Sequence, residues 1–224
     1  MKTYTKTRSS KYYYELTNEL LRLNVAKQSF TSIITPRTFS LQGNTLSTSR
    51  IGAGSSDLYK NQFPPDHFIA EYENIIRSLW QETLRTNLNL TPQWVKNPKI
   101  KQLDKLHPDF KNKTRAELKE ILYRKKPIIT KQVVVHGDLC PVNIIFNESG
   151  KAIGLIDLGD MHVGDGMLDI AVLSWTIRGN FGRKYEKIFL DRFGLKPNDK
   201  TLEYYRLIYD LSLPSYKNWN WIKE

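Results

Sequence analysis

The chain has 224 residues, 40% hydrophobic and 25% charged, which is enough apolar material for one large domain or two small lobes and excludes overall disorder. Lysine and arginine number 34 against 23 acids, a net of +11 that favours a polyanionic partner such as nucleic acid, phosphate or an anionic membrane surface without choosing among them. Cys140 is the only cysteine, so this chain alone can form neither an intramolecular disulfide nor a cysteine-based zinc site, and His67, His107, His136 and His162 show no ligand spacing.

Residues 1–60 read as a small mixed unit. A short strand is predicted around Tyr4 to Thr7, then a helix from about Tyr13 to Ala26 with Leu16, Leu20 and Leu23 on one buried face. Strand-like pieces follow Pro36 up to the glycine and serine loop RIGAGSSD, which ends the unit. In the second unit, residues 61–224, the spacing of Phe68, Tyr72, Ile75, Ile76 and Leu79 predicts an amphipathic helix over 66–88, its face widened by Ile69, Trp80 and Leu84. Between Lys96 and Lys131 stand 12 basic residues against 4 acids, or +8 of the net +11. Such a stretch is either a solvated helical face with its loops or a site that contacts phosphate or another anion.

A strand VVV, a loop, a strand NIIF, a turn at NESGK and a strand AIGLID come next. A helix near DIAVLSWTI and a last helix, KTLEYYRLIYDLSL, precede an aromatic tail, YKNWNWIKE. No apolar run approaches the roughly 18 residues of a membrane span. The stretch MKTYTKTRSSKYYY lacks the apolar core of a signal peptide, so a soluble cytoplasmic protein with no membrane partner is expected.

The chemistry concentrates in VVVHGDLCPVNIIF, residues 133–146. A turn centred on Glu148 and Ser149 would pair the flanking strands as a hairpin, placing Asp157 opposite about Cys140, with Asn143 at most about 10 Å along the ladder. Asp138, Asn143 and Asp157 then converge at its open end. Two carboxylates and an amide oxygen suit Mg²⁺, which keeps several waters and binds substrate phosphates. Taken singly, each has an ordinary reading as well: Asp138 capping a turn, Asn143 satisfying loop backbone, Asp157 beginning a helix. Taken together they match the kinase pattern of an aspartate, four residues and an asparagine, with a second, metal-binding aspartate after a hairpin. Where protein kinases carry His-Arg-Asp, this chain has His136, Gly137 and Asp138. No arginine is there to read an activation-loop phosphate, which favours a constitutive small-molecule kinase.

With these residues the chain resembles the aminoglycoside phosphotransferase and choline kinase-like family, whose hallmark is an HGDxxxxN loop followed by IDxG. The similarity continues through GDGMLDIA, where Asp169 matches the family's structural aspartate, and through LDRFGLKPNDKTLEYYRLIYDL. The resemblance implies an α+β, protein kinase-like fold of two lobes, a reduced N-terminal one and a mainly helical C-terminal one that carries the catalytic hairpin. It also implies transfer of the γ-phosphoryl of ATP or GTP to a hydroxyl of a small molecule, with an aminoglycoside or another antibiotic among the candidates. Asp138 would orient that hydroxyl and take its proton, while Asn143 and Asp157 would bind Mg²⁺.

In the same resemblance TKTRSSKYYYELTNELLRL looks like the family's third strand and following helix. That makes Lys6 the lysine on the α- and β-phosphates and Glu19 its ion-pair partner, although a lysine so near a chain end also reads as an ordinary solvated one. NTLSTSRIGAG would be the interlobe hinge, with backbone groups around Ser47 to Ser49 facing adenine. His136 would brace the loop by hydrogen bonds, and Cys140, buried by position, would serve packing. Asp160 and Asp210 are candidate acceptor-site acids. Asp165, like Asp160, reads equally as supporting or solvated, and Asp169 and Glu203 could also line a pocket. Tyr209 stands where the family would present another acid.

The basic stretch from Lys96 to Lys131 lies where the family builds its substrate lid, which counts against a simple aminoglycoside assignment. If Lys6 is on the third strand, the first two strands and their phosphate-covering loop have no sequence to come from. A shortened member, or one lacking an upstream segment, is then expected, and a nucleotide-binding pseudokinase is the alternative function. Nucleic-acid binding through the basic stretch and WNWIKE ranks last, because no recognised module is present.

Overall fold

In a computed structural model, which describes residues 3–9, 13–56, 61–100, 103 and 106–213, the N-terminal unit is a three-stranded antiparallel sheet beside one helix. The aromatic tail and four residues of the basic stretch, 101, 102, 104 and 105, lie outside the described residues. Strands β1 (Thr3–Thr7) and β2 (Phe39–Gln42) flank β3 (Thr45–Ser49), so that Lys6 and Leu41 both pair with Leu46. Helix α1 (Tyr13–Ser29) runs past the expected Ala26 and buries Leu16 and Leu23. Glu19 and Arg22 are drawn into the same buried face because each finds partners there: Lys6 for Glu19, and the carbonyls of Met161 and Leu90 for Arg22.

After Arg50 the chain crosses to a second sheet. There β4 (Gly54–Ser55) pairs with β6 (Ile144–Phe146), which pairs with β7 (Ala152–Leu155). Ile34 bridges to Gly154 in parallel, tying the loop after α1 to the hairpin. A Cβ at Gly154 would run into the Ile34 carbonyl, so the close approach requires glycine.

Helix α2 (Pro65–Leu79) buries the predicted Phe68, Tyr72, Ile75, Ile76 and Leu79, but ends at Leu79 rather than running on to Leu88. The cause is Glu82. Its buried carboxylate accepts the backbone N–H groups of Thr31, Ser32 and Ile33 at 2.7–3.1 Å, which pulls the chain off the helical path.

The basic stretch forms short helices, α3 (Gln93–Lys96), α4 (Pro108–Lys111) and α5 (Arg115–Arg124), the last opened by a reciprocal cap between Thr114 and Glu117. Strand β5 (Val133–Val135) pairs with β8 (His162–Gly164), which the sequence reading did not foresee. Helix α6 (Met167–Phe181) is buried nearly all round and shows no amphipathic period. Gly182, at φ 89°, separates it from α7 (Arg183–Asp191), also unforeseen, and α8 (Lys200–Ser212) completes the helical unit. Lys113 and Lys125 both pair with Glu203 of α8, at 3.5 and 3.0 Å, so part of the basic charge is neutralised internally. No helix among the described residues is long and apolar enough to cross a membrane.

His162 on β8 sets an expected pH dependence. It is 2% exposed and its Nδ1–H donates to the Asp160 carbonyl at 2.8 Å. Burial pushes its pKa from 6.5 down to about 4, so the folded protein keeps it neutral where the unfolded chain would protonate it. The stability this represents is complete above pH 6.5 and is lost as pH falls toward 4, up to about 3 kcal/mol. Urea midpoints at pH 7.5, 5.5 and 4.5 should therefore fall less steeply for His162→Gln than for wild type. Equal slopes would remove His162 from the acid response.

Candidate active site

The hairpin delivers the site in a register different from the expected one. The turn runs over Glu148, Ser149 and Gly150, closed by the Asn147 N–H on the Lys151 carbonyl at 3.0 Å, and is not centred between Glu148 and Ser149. A bulge then shifts the ladder, since Phe146 pairs with Ala152 but Ile145 with Gly154 and Ile144 with Leu155. The Ile156 N–H reaches the Asn143 carbonyl at 3.1 Å, so Asp157 arrives beside Asn143 and not opposite Cys140.

Asp157 has φ 58° and ψ 57°, the only positive φ among the described non-glycine residues. A left-handed residue of this kind costs about 1 kcal/mol or more, and aspartate is among those that tolerate it best. Its Oδ1 accepts from Lys6 Nζ at 2.6 Å, and the same ammonium donates to Glu19 Oε2 at 2.9 Å. Burial alone would lower the Lys6 pKa, but the carboxylates of Asp157 and Glu19 outweigh it and hold the ammonium above its ordinary value. Glu19 is pushed up by burial and by the charge of Asp157, with Lys6 opposing.

On the facing loop, Gly137 sits at φ 87°, and a Cβ there would meet the Asp160 carbonyl oxygen at 2.7 Å. This position cannot carry the arginine of His-Arg-Asp without moving the backbone. Asp169, fully buried on α6, receives the backbone N–H groups of His136 and Gly137 at 2.8 and 2.9 Å. Burial raises its pKa to about 6, with His136 and these N–H groups opposing. His136 uses both ring nitrogens: Nε2–H donates to the Ile156 carbonyl at 2.9 Å and Nδ1 accepts the Asp138 N–H at 3.3 Å. It thereby links the loop to the strand that leads into Asp157. Asn143 donates to the Asp138 carbonyl at 2.9 Å and lies 3.4 Å from Asp138 Oδ2. Cys140 is half-buried rather than buried.

Two cavities meet at this point. One, of about 530 Å³, is an apolar slot between Leu23, Leu46, Ile51, Val142, Ile145 and Ile156. The other, of about 580 Å³, is more polar and is walled by Arg22, Trp94, Asp138, Asp160 and Tyr209. Lys6, Glu19 and Asp157 line both.

The remaining sequence candidates divide. Thr48, Ser49, Arg50 and Ile51 line the slot, whereas Ser47 lies mid-sheet in register with Thr5 and Ser40 and is absent from its wall. The Ser49 hydroxyl faces the N–H groups of Arg37 and Thr38 at 3.2 and 3.3 Å, tying β3 to the start of β2. Asp160 faces the polar cavity and takes the Trp94 indole N–H at 3.1 Å. Its pKa is raised by burial, which the Trp94 N–H opposes, and by Asp138.

Asp210 turns inward, fully buried, and accepts the His107 N–H at 2.9 Å, so it anchors α8 and is absent from the wall of the polar cavity. Asp165 holds the Met167 N–H and the Tyr205 hydroxyl, and Glu203 is engaged by lysines. Sequence reasoning missed Trp94 and Arg22, which carry no local motif. It noted Tyr209 only by position, yet the Tyr209 hydroxyl donates to Asp138 Oδ1 at 2.5 Å.

The chain is similar to known phosphotransferases in sequence and in fold. Over 97 residues the chain is 36% identical to an aminoglycoside 3'-phosphotransferase of Niallia circulans, and over 100 residues 38% identical to one of Enterococcus faecalis, covering 42% and 44% of this chain. The chain spans 37% of the length of each of these two relatives. A crystal structure of an aminoglycoside 3'-phosphotransferase of type VIII superimposes with a TM-score of 0.68 at 21% identity, over 93% of this chain and 84% of the other. An aminoglycoside phosphotransferase from Streptomyces rimosus, in complex with ADP and streptomycin, gives 0.67 at 20% identity over 95% and 87%. The fold is thus the α+β, kinase-like fold of these enzymes. Residues 63–207, more than half of the chain and including Asp138, Asn143 and Asp157, match the phosphotransferase enzyme family, and the chain belongs to it.

Proposed function

We propose that the chain is a Mg²⁺-dependent phosphotransferase that moves the γ-phosphoryl of ATP or GTP to a hydroxyl of a small molecule, with aminoglycosides the first acceptors to try. The observation that carries this reading is the junction: Lys6, Glu19 and Asp157 stand on the wall common to both cavities, an apolar slot on one side and Asp138 on the other. The slot suits a nucleobase, and Lys6 at its edge suits the phosphates. Relatives of the same fold are described in complex with ADP and streptomycin and with AMP-PNP and hygromycin B, which supports a nucleotide and a hydroxylated acceptor here.

Asp157 and the amide oxygen of Asn143, the atom left once its nitrogen is committed to Asp138, would hold Mg²⁺. Two such oxygen ligands suit a cation that keeps waters and binds substrate phosphates and does not need an all-protein cage. When bound, Mg²⁺ supplies charge neutralisation at the phosphoryl oxygens. Asp138 orients the acceptor hydroxyl and takes its proton, and Lys6 steadies the phosphates against Glu19. Because the transition state is loose, positioning supplies much of the catalysis, and His136 and Asp169 serve it by holding the loop.

The test is transfer itself. With labelled MgATP or MgGTP, phosphate is expected to reach at least one compound in a panel of streptomycin, gentamicin, hygromycin B and uncharged polyols, and to stop with EDTA. A panel that stays unlabelled while the nucleotide binds would contradict the reading.

A further inference from the structure

We propose that Tyr209 is a positioning and specificity residue whose hydroxyl occupies the acceptor's place on Asp138 in the free protein and must be displaced before transfer. The inference rests on the phosphotransferase reading above. Its basis is the phenol seated on the base: Tyr209 Oη donates to Oδ1 at 2.5 Å, while Asn143 Nδ2, which donates to the Asp138 carbonyl at 2.9 Å, lies 3.4 Å from Oδ2. Asp138 and Tyr209 both line the polar cavity, so an acceptor hydroxyl that binds Oδ1 from that cavity competes with the phenol.

The phenol is itself well held. Tyr209 is 7% exposed, and its ring meets Trp94 edge to face at 6.3 Å, while the Trp94 N–H is anchored on Asp160. Burial, and the Asp138 charge after it, push the Tyr209 pKa well above 10, so it stays a proton donor throughout the working range. Its backbone lies in the last turn of α8, where the Tyr209 carbonyl takes the Ser212 hydroxyl.

Displacement then selects the acceptor. A compound that also contacts Trp94 and Asp160 brings binding energy with which to replace the phenol, whereas water brings none. In the productive step the acceptor oxygen bonds to the γ-phosphorus, the bond to the β,γ-bridging oxygen breaks, the acceptor proton passes to Asp138 and on to solvent, and the nucleoside diphosphate leaves. Hydrolysis is the same step with water as the acceptor, and Tyr209 suppresses it.

The experiment is hydrolysis of MgATP and MgGTP without any acceptor, in wild type, Tyr209→Phe, Tyr209→Leu and Tyr209→Phe combined with Asp138→Asn, each with its nucleotide-induced thermal shift. Hydrolysis should rise about tenfold or more in both single variants, the scale on which a hydrogen bond to a charged group resists displacement. It should return to the floor in the double variant. Hydrolysis at or below the wild-type rate in folded, nucleotide-binding Tyr209 variants overturns the proposal and leaves the phosphotransferase reading intact, as does a rise that survives Asp138→Asn. Absence of any nucleotide-induced shift in wild type overturns both.

Discussion

Asp138→Asn should lower phosphoryl transfer about a thousandfold while leaving nucleotide affinity largely unchanged. The amide keeps the size and shape of the carboxylate and can still accept the Tyr209 hydroxyl, so the loop held by His136 and Asp169 should stay in place. What is lost is the proton acceptor, and the slot and Lys6 are untouched. Initial rates set beside a nucleotide binding isotherm separate the two quantities. A loss under about tenfold would mean that Asp138 is not the base.

Asp157→Asn should be nearly as damaging, about a thousandfold, because several kcal/mol of charge stabilisation depend on the cation its carboxylate would hold. Asparagine is the instructive replacement, since it tolerates the left-handed backbone at φ 58°, whereas alanine would add strain of its own. Lys6 keeps Glu19 at 2.9 Å, and the Asp157 side chain is 40% exposed, so folding stability should fall by only about 1 kcal/mol after allowance for solvent screening. Loss of transfer with a nearly unchanged urea midpoint would identify the carboxylate as functional. A collapse in stability would make it structural.

The catalytic hairpin was legible because its chemistry is local: Asp138, Asn143 and Asp157 lie within one strand, turn and strand, and that spacing alone suggested convergence. The bulge that adjusts the register left no comparable mark. The end of α2 was illegible because Glu82 answers to N–H groups some 50 residues earlier, a tertiary contact that overrides helical periodicity. Strand β8 escaped notice because it consists of only His162, Val163 and Gly164, and its partner β5 lies beyond the whole hairpin. The inward orientation of Asp210 was illegible because a position in a helix does not say which way the helix is turned. In α8 it is Tyr209, across 71 positions of sequence, that faces Asp138, and Asp210 that faces the core.

The proposed function requires first that the junction of Lys6, Glu19 and Asp157, with Asn143 beside it on the slot wall, hold a metal-nucleotide complex. The measurement is thermal stability with millimolar MgATP or MgGTP, with and without EDTA, in wild type and Asp157→Asn. A ligand that binds only the folded state stabilises it by about 3 kcal/mol at a hundred times its dissociation constant. The predicted result is an upward shift with at least one nucleotide in wild type, reduced by EDTA and by Asp157→Asn. No shift with either nucleotide, or a shift of equal size in the variant and in EDTA, would contradict it.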